Sequence, residues 1–442
     1  MTNINRRNFV KSIGCAGAAA TLAMPSVGWS EGTAGSNEKT MIMLNLRGGL
    51  DALATLGMAD SSYASLRGMQ AILAPNSPSA PAGRTGLQLG VDDRFFLNPM
   101  MPDVKTMFDL GEANIYMDVG MAPNNLANED HFSMENFIYG GMGIYNPTSG
   151  FLNRATNAVR NRMDPTAGLF EVDSTPGFSP IDLGTVPVMH YQPTGNSALM
   201  NDSAMQLVIS SLYMGDNILG AAYANGVRTR NTLGSLLGTA GHTDPATIGS
   251  LHSGAAVANI VGLIASAPAG SRPAFIYTNM VGFDMHDVAV HGTLNPSGYL
   301  NAIGQRLDQV NIFLRELKRI LVANGVWNKV LIVVFSEFGR RIANNQNPNP
   351  SPGVAATVGS DHGRGGIMFT ISGDSRHRVD APNGRRVIAG TWNGIGHADS
   401  RGNMPATMDG MRLIRNHMGL HFGMTAAELD AILPVTAGGS NA

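Results

Sequence analysis

Apolar residues follow two rhythms along this chain. Unbroken runs rich in β-branched residues, above all Val330-Leu331-Ile332-Val333-Val334-Phe335, read as strands buried on both faces, as inside a parallel sheet. Runs of the same kind are Met41–Leu46, Ala113–Val119, Ala274–Thr278 and Ile367–Ile371. From Leu300 the pattern changes: Ile303, Leu307, Val310, Leu314, Leu317 and Leu321 recur at the spacing of a helix with one buried stripe. Further helices are predicted over Asp103–Leu110, from Asp130 to Gly140-Gly141, and over Phe151–Arg162, Ala204–Met214, much of Gly215–Pro268, Thr407–Met418 and Thr425–Leu433. Ile181–Tyr191 reads as strand or loop. Strand, helix, strand from Ala274 to Phe335 predicts a right-handed crossover unit, hence an α/β fold around a mostly parallel sheet.

Composition narrows the classes of function. A net charge of −2 with 14% charged residues leaves no basic surplus for nucleic acid and no acidic tail. Asn5-Arg6-Arg7-Asn8-Phe9-Val10-Lys11, then a short Ala- and Gly-rich apolar stretch, has the layout of a signal peptide, and paired arginines before Phe resemble a twin-arginine signal. The reading is a signal over residues 1–30, a polar tether over 31–40, one domain over 41–434 and a flexible tail over 435–442. The mature chain would carry no transmembrane helix, since spanning needs about 20 apolar residues. It would be periplasmic or secreted, with the twin-arginine translocase as its export partner. The single Cys15 falls inside the signal, so disulfides, thiolate metal sites and a cysteine nucleophile are excluded from the mature protein.

Chemistry gathers where the strands end. Arg47-Gly48-Gly49-Leu50-Asp51 follows the first strand, Asp284-Met285-His286 follows Ala274–Thr278, and Ser336-Glu337-Phe338-Gly339-Arg340 follows the Val330 run. Asp361-His362-Gly363-Arg364 adjoins the Ile367 run, and His131 opens a helix. Ligands of open α/β sheets bind at strand carboxyl ends. Carboxylates with imidazoles suit a divalent metal such as zinc, manganese or iron, and hard oxygen ligands add magnesium or calcium. Arg47, Arg340 and Arg364 would face an anion. Plain alternatives stand beside these readings: Asp51 as a turn residue, Asp284 as a helix cap, Glu337 paired with Arg340, and His131 bonded across a helix start. His190, His242, His252, His377, His397, His417 and His421 read as residues of loops or exposed turns.

Together, Leu46-Arg47-Gly48-Gly49-Leu50-Asp51, His131-Phe132, Gly282-Phe283-Asp284-Met285-His286, Ser336–Arg340 and Asp361-His362-Gly363 resemble the DUF1501 family in their order, over about Met41 to Leu433. The resemblance implies a three-layer α/β/α sandwich of the alkaline phosphatase/sulfatase type. It implies a metal site of Asp51, Asp284, His286, Glu337, Asp361 and His362. Departures are Ala52 where the family often has Gly, and Asp130 where Ser usually precedes His-Phe. Related enzymes carry a Ser, Thr or Cys nucleophile at a helix start after a strand. The loop Met121–Asp130 has no hydroxyl or thiol, which leaves Ser133. The expected function is an exported metal-dependent hydrolase of phosphate or sulfate esters, with Arg47 and Arg340 against the anion, His131 assisting and a small anionic ester as partner. The alternatives are a non-catalytic protein of envelope assembly that keeps the fold, or an enzyme modifying polysaccharide.

Overall fold

The computed structural model describes residues 38–58, 86–91, 94–121, 130–141, 149–163, 167–172, 186, 188–191, 257, 260, 263–264, 273–286, 288–289, 296–342, 345–347, 357–380, 386–400 and 402–434. The expected leader, most of the tether, the helix over 204–214, nearly all of 215–268 and the tail lie outside them.

Among the described residues, nine strands build the central sheet: β1 (Thr40–Leu46), β2 (Ala113–Gly120), β3 (Leu169–Val172), β4 (Val188–Tyr191), β5 (Phe275–Met280), β6 (Val330–Phe335), β7 (Gly366–Ser372), β8 (Ile388–Ala389) and β9 (Met408–Asp409). The order across the sheet is β8-β2-β7-β6-β1-β5-β3-β4, with β9 also on β2. β1 lies centrally, parallel to β6 on one side (Ile42 opposite Ile332) and to β5 on the other (Ile42 opposite Ile276). β7 alone runs against its neighbours, antiparallel to both β6 and β2.

Alternation along the strands feeds two cores. Ile42, Leu44, Ile332 and Val334 face one side, Met41, Met43, Leu331 and Val333 the other, and all are buried. This is why the Val330 run is unbroken: a central strand has no solvent face. On the first side the stripe Ile303, Leu307, Val310, Leu314, Leu317 and Leu321 of α4 (Pro296–Ala323) packs beside Val104, Met107 and Phe108 of α1 (Pro102–Asp109). On the second lie α2 (His131–Gly140), α3 (Phe151–Arg162), α5 (Gly410–Phe422) and α6 (Ala426–Ile432). The result is the expected α/β arrangement of helices on both faces of a mostly parallel sheet. No helix among the described residues is long and apolar enough to cross a membrane.

One reading is corrected here. His377, His417 and His421 are buried, not exposed, and form a continuous chain between α5, a short helical turn and the sheet. Tyr116 Oη meets His417 Nε2 at 2.6 Å, and His417 Nδ1 meets His377 Nδ1 at 3.1 Å. His377 Nε2 meets His421 Nδ1 at 3.1 Å, and His421 Nε2 ends the chain 3.1 Å from the Thr40 carbonyl.

Candidate metal site

The strands β1, β5 and β6 all end at one edge of the sheet, and the loops beyond them meet there. Because β7 runs the opposite way, the residues before it, not after it, reach the same edge. That reversal brings Asp361-His362 to the ends of β5 and β6. Gly339-Arg340 pairs with His362-Gly363 in a small ladder that fixes the approach. Gly48 turns the chain after β1 at φ +121°, where an added Cβ would lie 2.0 Å from the amide nitrogen of Asp284, so only glycine lets the two loops touch.

Donor atoms of His131, Asp284, His286 and His362 all lie within 4.8 Å of one another, and among the described residues these four form the group able to hold a metal ion. His131 comes from the first turn of α2, placed by Asp130, whose carboxylate accepts the Ser133 amide at the helix N-cap. The ring is oriented from behind: its Nδ1 lies 2.7 Å from Glu337 Oε1, which also accepts the Gly48 amide at 2.8 Å. Nε2 of His131 is thereby turned toward Asp284 Oδ2, at 3.5 Å. His286 is arranged alike, with Nδ1 at 3.4 Å from Asp361 Oδ1 and Nε2 turned to the cluster. Phe338 packs against the rings of both His131 and His362, with centroids 4.8 and 4.2 Å away.

The electrostatics follow from these contacts. Burial alone would depress the His131 imidazolium, but the Glu337 carboxylate, joined by Asp284, raises it above its ordinary value. His286 is lowered, by burial first and then by the Arg340 charge. Burial works to raise Asp284, yet Arg340, His131 and His286 together hold its carboxyl below the usual range.

A divalent cation fits the residues present. His131 Nε2 is buried and has no hydrogen-bond partner among the described residues. Nε2 of His286 and Nε2 of His362 stand 2.5 Å apart, closer than an N–H···N bond prefers. Two ring nitrogens at that separation, a third without a partner and a carboxylate are the donors a metal ion satisfies. Carboxylates behind ligating imidazoles, here Glu337 and Asp361, are the usual means of fixing the tautomer.

The other residues singled out by sequence are placed elsewhere. Asp51 is the N-cap of the helical turn Ala52–Thr55: its Oδ1 accepts the amides of Leu53 and Ala54 at 3.1 and 3.0 Å, and it is not among the clustered four. Glu337 and Asp361 stand one contact behind, and Glu337 bonds to Ser336 at 3.0 Å instead of to Arg340. Arg340 faces no anion from solvent. Its side chain is wholly buried and donates to the Gly48, Gly49 and Ser360 carbonyls and to Asp284. Arg47 forms a two-pronged pair with Glu135, a residue the sequence reading missed although it lies one helical turn from His131. Burial raises the Glu135 carboxyl, and Arg47 offsets part of that shift. Ser133 gives its amide to the Asp130 carboxylate at 3.0 Å. Arg364 carries a buried Nε without a partner among the described residues.

A family model described as "Protein of unknown function (DUF1501)" matches residues 116–374, which contain all four clustered residues. No curated protein matches the chain. Among solved structures, it is similar to Ps i-CgsB in complex with k-i-k-neocarrahexaose, at 11% identity, covering 89% of this chain and 74% of that one with a TM-score of 0.36. It is similar to the C-terminal periplasmic domain of EcEptC from Escherichia coli at 9% identity, covering 81% and 80%, TM-score 0.34. A TAB5 alkaline phosphatase mutant with bound Mg is similar at 10% identity, covering 78% and 94%, TM-score 0.33.

Proposed function

The chain belongs to the DUF1501 family, and from that premise we propose that it is an exported, metal-dependent hydrolase of phosphate or sulfate esters. The observation that carries the reading is the convergence of His131, Asp284, His286 and His362, two of the imidazoles backed by carboxylates. Three nitrogens and one carboxylate favour zinc or manganese over magnesium or calcium. When bound, such an ion supplies Lewis-acid polarisation of the ester and activates water as nucleophile. Glu337 and Asp361 hold His131 and His286 with Nε2 presented. Phe338 walls the site from below. Asp284, half exposed, opens the cluster to solvent on the side where an ester would enter. Export through the twin-arginine pathway rests on the Arg6-Arg7 leader.

Metal content and turnover test this together. The purified protein is expected to hold close to one equivalent of zinc or manganese and to hydrolyse aryl phosphate or aryl sulfate, with both activities lost in Asp284→Ala and His362→Ala. Equal background rates in all three proteins would end the enzyme reading. A second reading, a non-catalytic protein keeping the fold, is favoured by the commitment of Arg47 and Arg340 to protein partners. It expects metal uptake without turnover.

Glu337→Gln gives a narrower prediction. The amide still accepts from Gly48 but is a weaker acceptor than a carboxylate for the His131 Nδ1–H. Zinc affinity is expected to fall about 10- to 100-fold, read by competition with a chromophoric chelator. Unchanged affinity would show that the carboxylate does not orient His131.

A further inference from the structure

We propose that Arg306 is a second anion-binding point of this site, taking a negatively charged group of the substrate other than the ester that is cleaved. The proposal rests on the reading of the cluster as a metal-dependent esterase and narrows its substrates to esters bearing a further carboxylate, phosphate or sulfate.

Arg340 is buried and spent on carbonyls and on Asp284, and Arg47 is spent on Glu135. Arg341 pairs with Asp361 at 3.3 Å. Arg306 differs from all three. It projects from α4 onto the loop that carries Asp284 and His286, and its guanidinium lies flat against Gly282. A Cβ built on Gly282 would stand 2.9 Å from Arg306 Nε and 3.0 Å from its Cζ. Gly282 has φ +97°, a backbone conformation that favours glycine. Among the described residues no carboxylate lies within ion-pair distance of Arg306.

Position makes this useful. Gly282 is two residues from Asp284, which sets their Cα atoms at most about 7 Å apart. Val281 and Asp284, on either side, are exposed, so the stretch of loop that Arg306 lies against is open to solvent. A group bound directly to the metal is held by the metal. A second charge on the same small molecule, reaching along the Asp284–Gly282 stretch of the loop, meets Arg306. Guanidinium is suited to this because its planar fork accepts carboxylate, phosphate or sulfate through two parallel bonds.

The test compares matched, uncleavable probes on the zinc-loaded full chain: benzylphosphonate and benzylsulfonate, each with and without a 4-carboxylate, titrated by calorimetry. Wild type is expected to bind the carboxylate-bearing member of the better pair more tightly. Arg306→Gln is expected to remove that preference, about tenfold in Kd, and to leave the plain member within twofold, with zinc content unchanged. Arg306→Lys is expected to keep part of it. If wild type and Arg306→Gln show the same preference, or wild type shows none, the role of Arg306 is overturned while the metal site stands. If the protein takes up no zinc, or no probe binds, the parent reading falls and this one with it.

Discussion

Arg340→Met is expected to lower the unfolding free energy by about 4 kcal/mol, the largest effect of any single change considered. Methionine fills much of the arginine volume but leaves its acceptors behind. Those are the Gly49 carbonyl at 2.9 Å, the Ser360 carbonyl at 2.7 Å, the Phe283 carbonyl at 3.3 Å, Asp284 Oδ1 at 2.8 Å and the Gly48 carbonyl. They belong to three separate loops, after β1, after β5 and before β7, so one guanidinium ties together the whole edge that carries the cluster. Each bond to a charged donor contributes roughly 1.5–3 kcal/mol, and each buried carbonyl left without a donor costs about 1–3 kcal/mol, without simple additivity. Lysine should rescue little, because one ammonium cannot reach acceptors spread around a fork. Urea unfolding at constant m-value measures the change. A loss below about 1 kcal/mol would mean that the loops hold together without the clamp.

Arg340 also shows where sequence reading ran out. Its position after a buried strand was legible, and so was its neighbourhood of acid and glycine. Its direction was not: whether a guanidinium turns outward to an anion or inward to carbonyls depends on loops from Gly48 and Ser360, remote in sequence. The strands themselves were plain, because burial on both faces writes an unbroken apolar run such as Val330–Phe335. The reversed direction of β7 was not, since a short apolar run reads the same either way, and only that reversal puts Asp361-His362 at the shared edge. Asp51 was ambiguous for a chemical reason: a carboxylate that caps a helical turn and one that holds a metal follow the same Gly-rich turn. His417 and His421 carried a signal that was passed over. They lie four apart on α5 and share its inward face with Ile414, Met418 and Phe422, so the helical period that marked the apolar stripe marked them too.

Those buried histidines make the stability of the fold depend on pH. The Thr40 carbonyl can only accept, so His421 Nε2 donates and His421 Nδ1 accepts. His377 must then donate through Nε2 and accept at Nδ1 from His417, whose Nε2 takes the Tyr116 hydroxyl proton. One set of tautomers satisfies every atom, and in it all three rings are neutral. An added proton must either face another ring N–H or turn the Tyr116 hydroxyl away from His417. Burial accordingly holds His377 down to about 4 and His417 to about 3, drives His421 well below its ordinary value, and pushes Tyr116 up to about 12. Asp374 pulls His377 the other way, but it is itself paired with Arg376, and Lys39 adds a further positive charge. The sign is then fixed. Between about 6.5 and 4 the unfolded chain binds protons that the folded chain refuses, so stability is full above 6.5 and falls as pH drops through this window. His377 alone accounts for about 3 kcal/mol of the loss by pH 4. His131, raised in the fold, acts in the opposite direction, and His286, lowered, acts in the same direction as the buried three. Asp284 and Asp374, both held below the usual carboxylate range, contribute only at lower pH. Urea midpoints in chelator at pH 7.5, 6.0 and 5.0 should therefore fall steadily in wild type. His377→Gln should start lower at pH 7.5 and fall less steeply. Midpoints in wild type that stay level from pH 7.5 to 5.0 would mean that the imidazole chain accepts a proton without cost, against the tautomer argument.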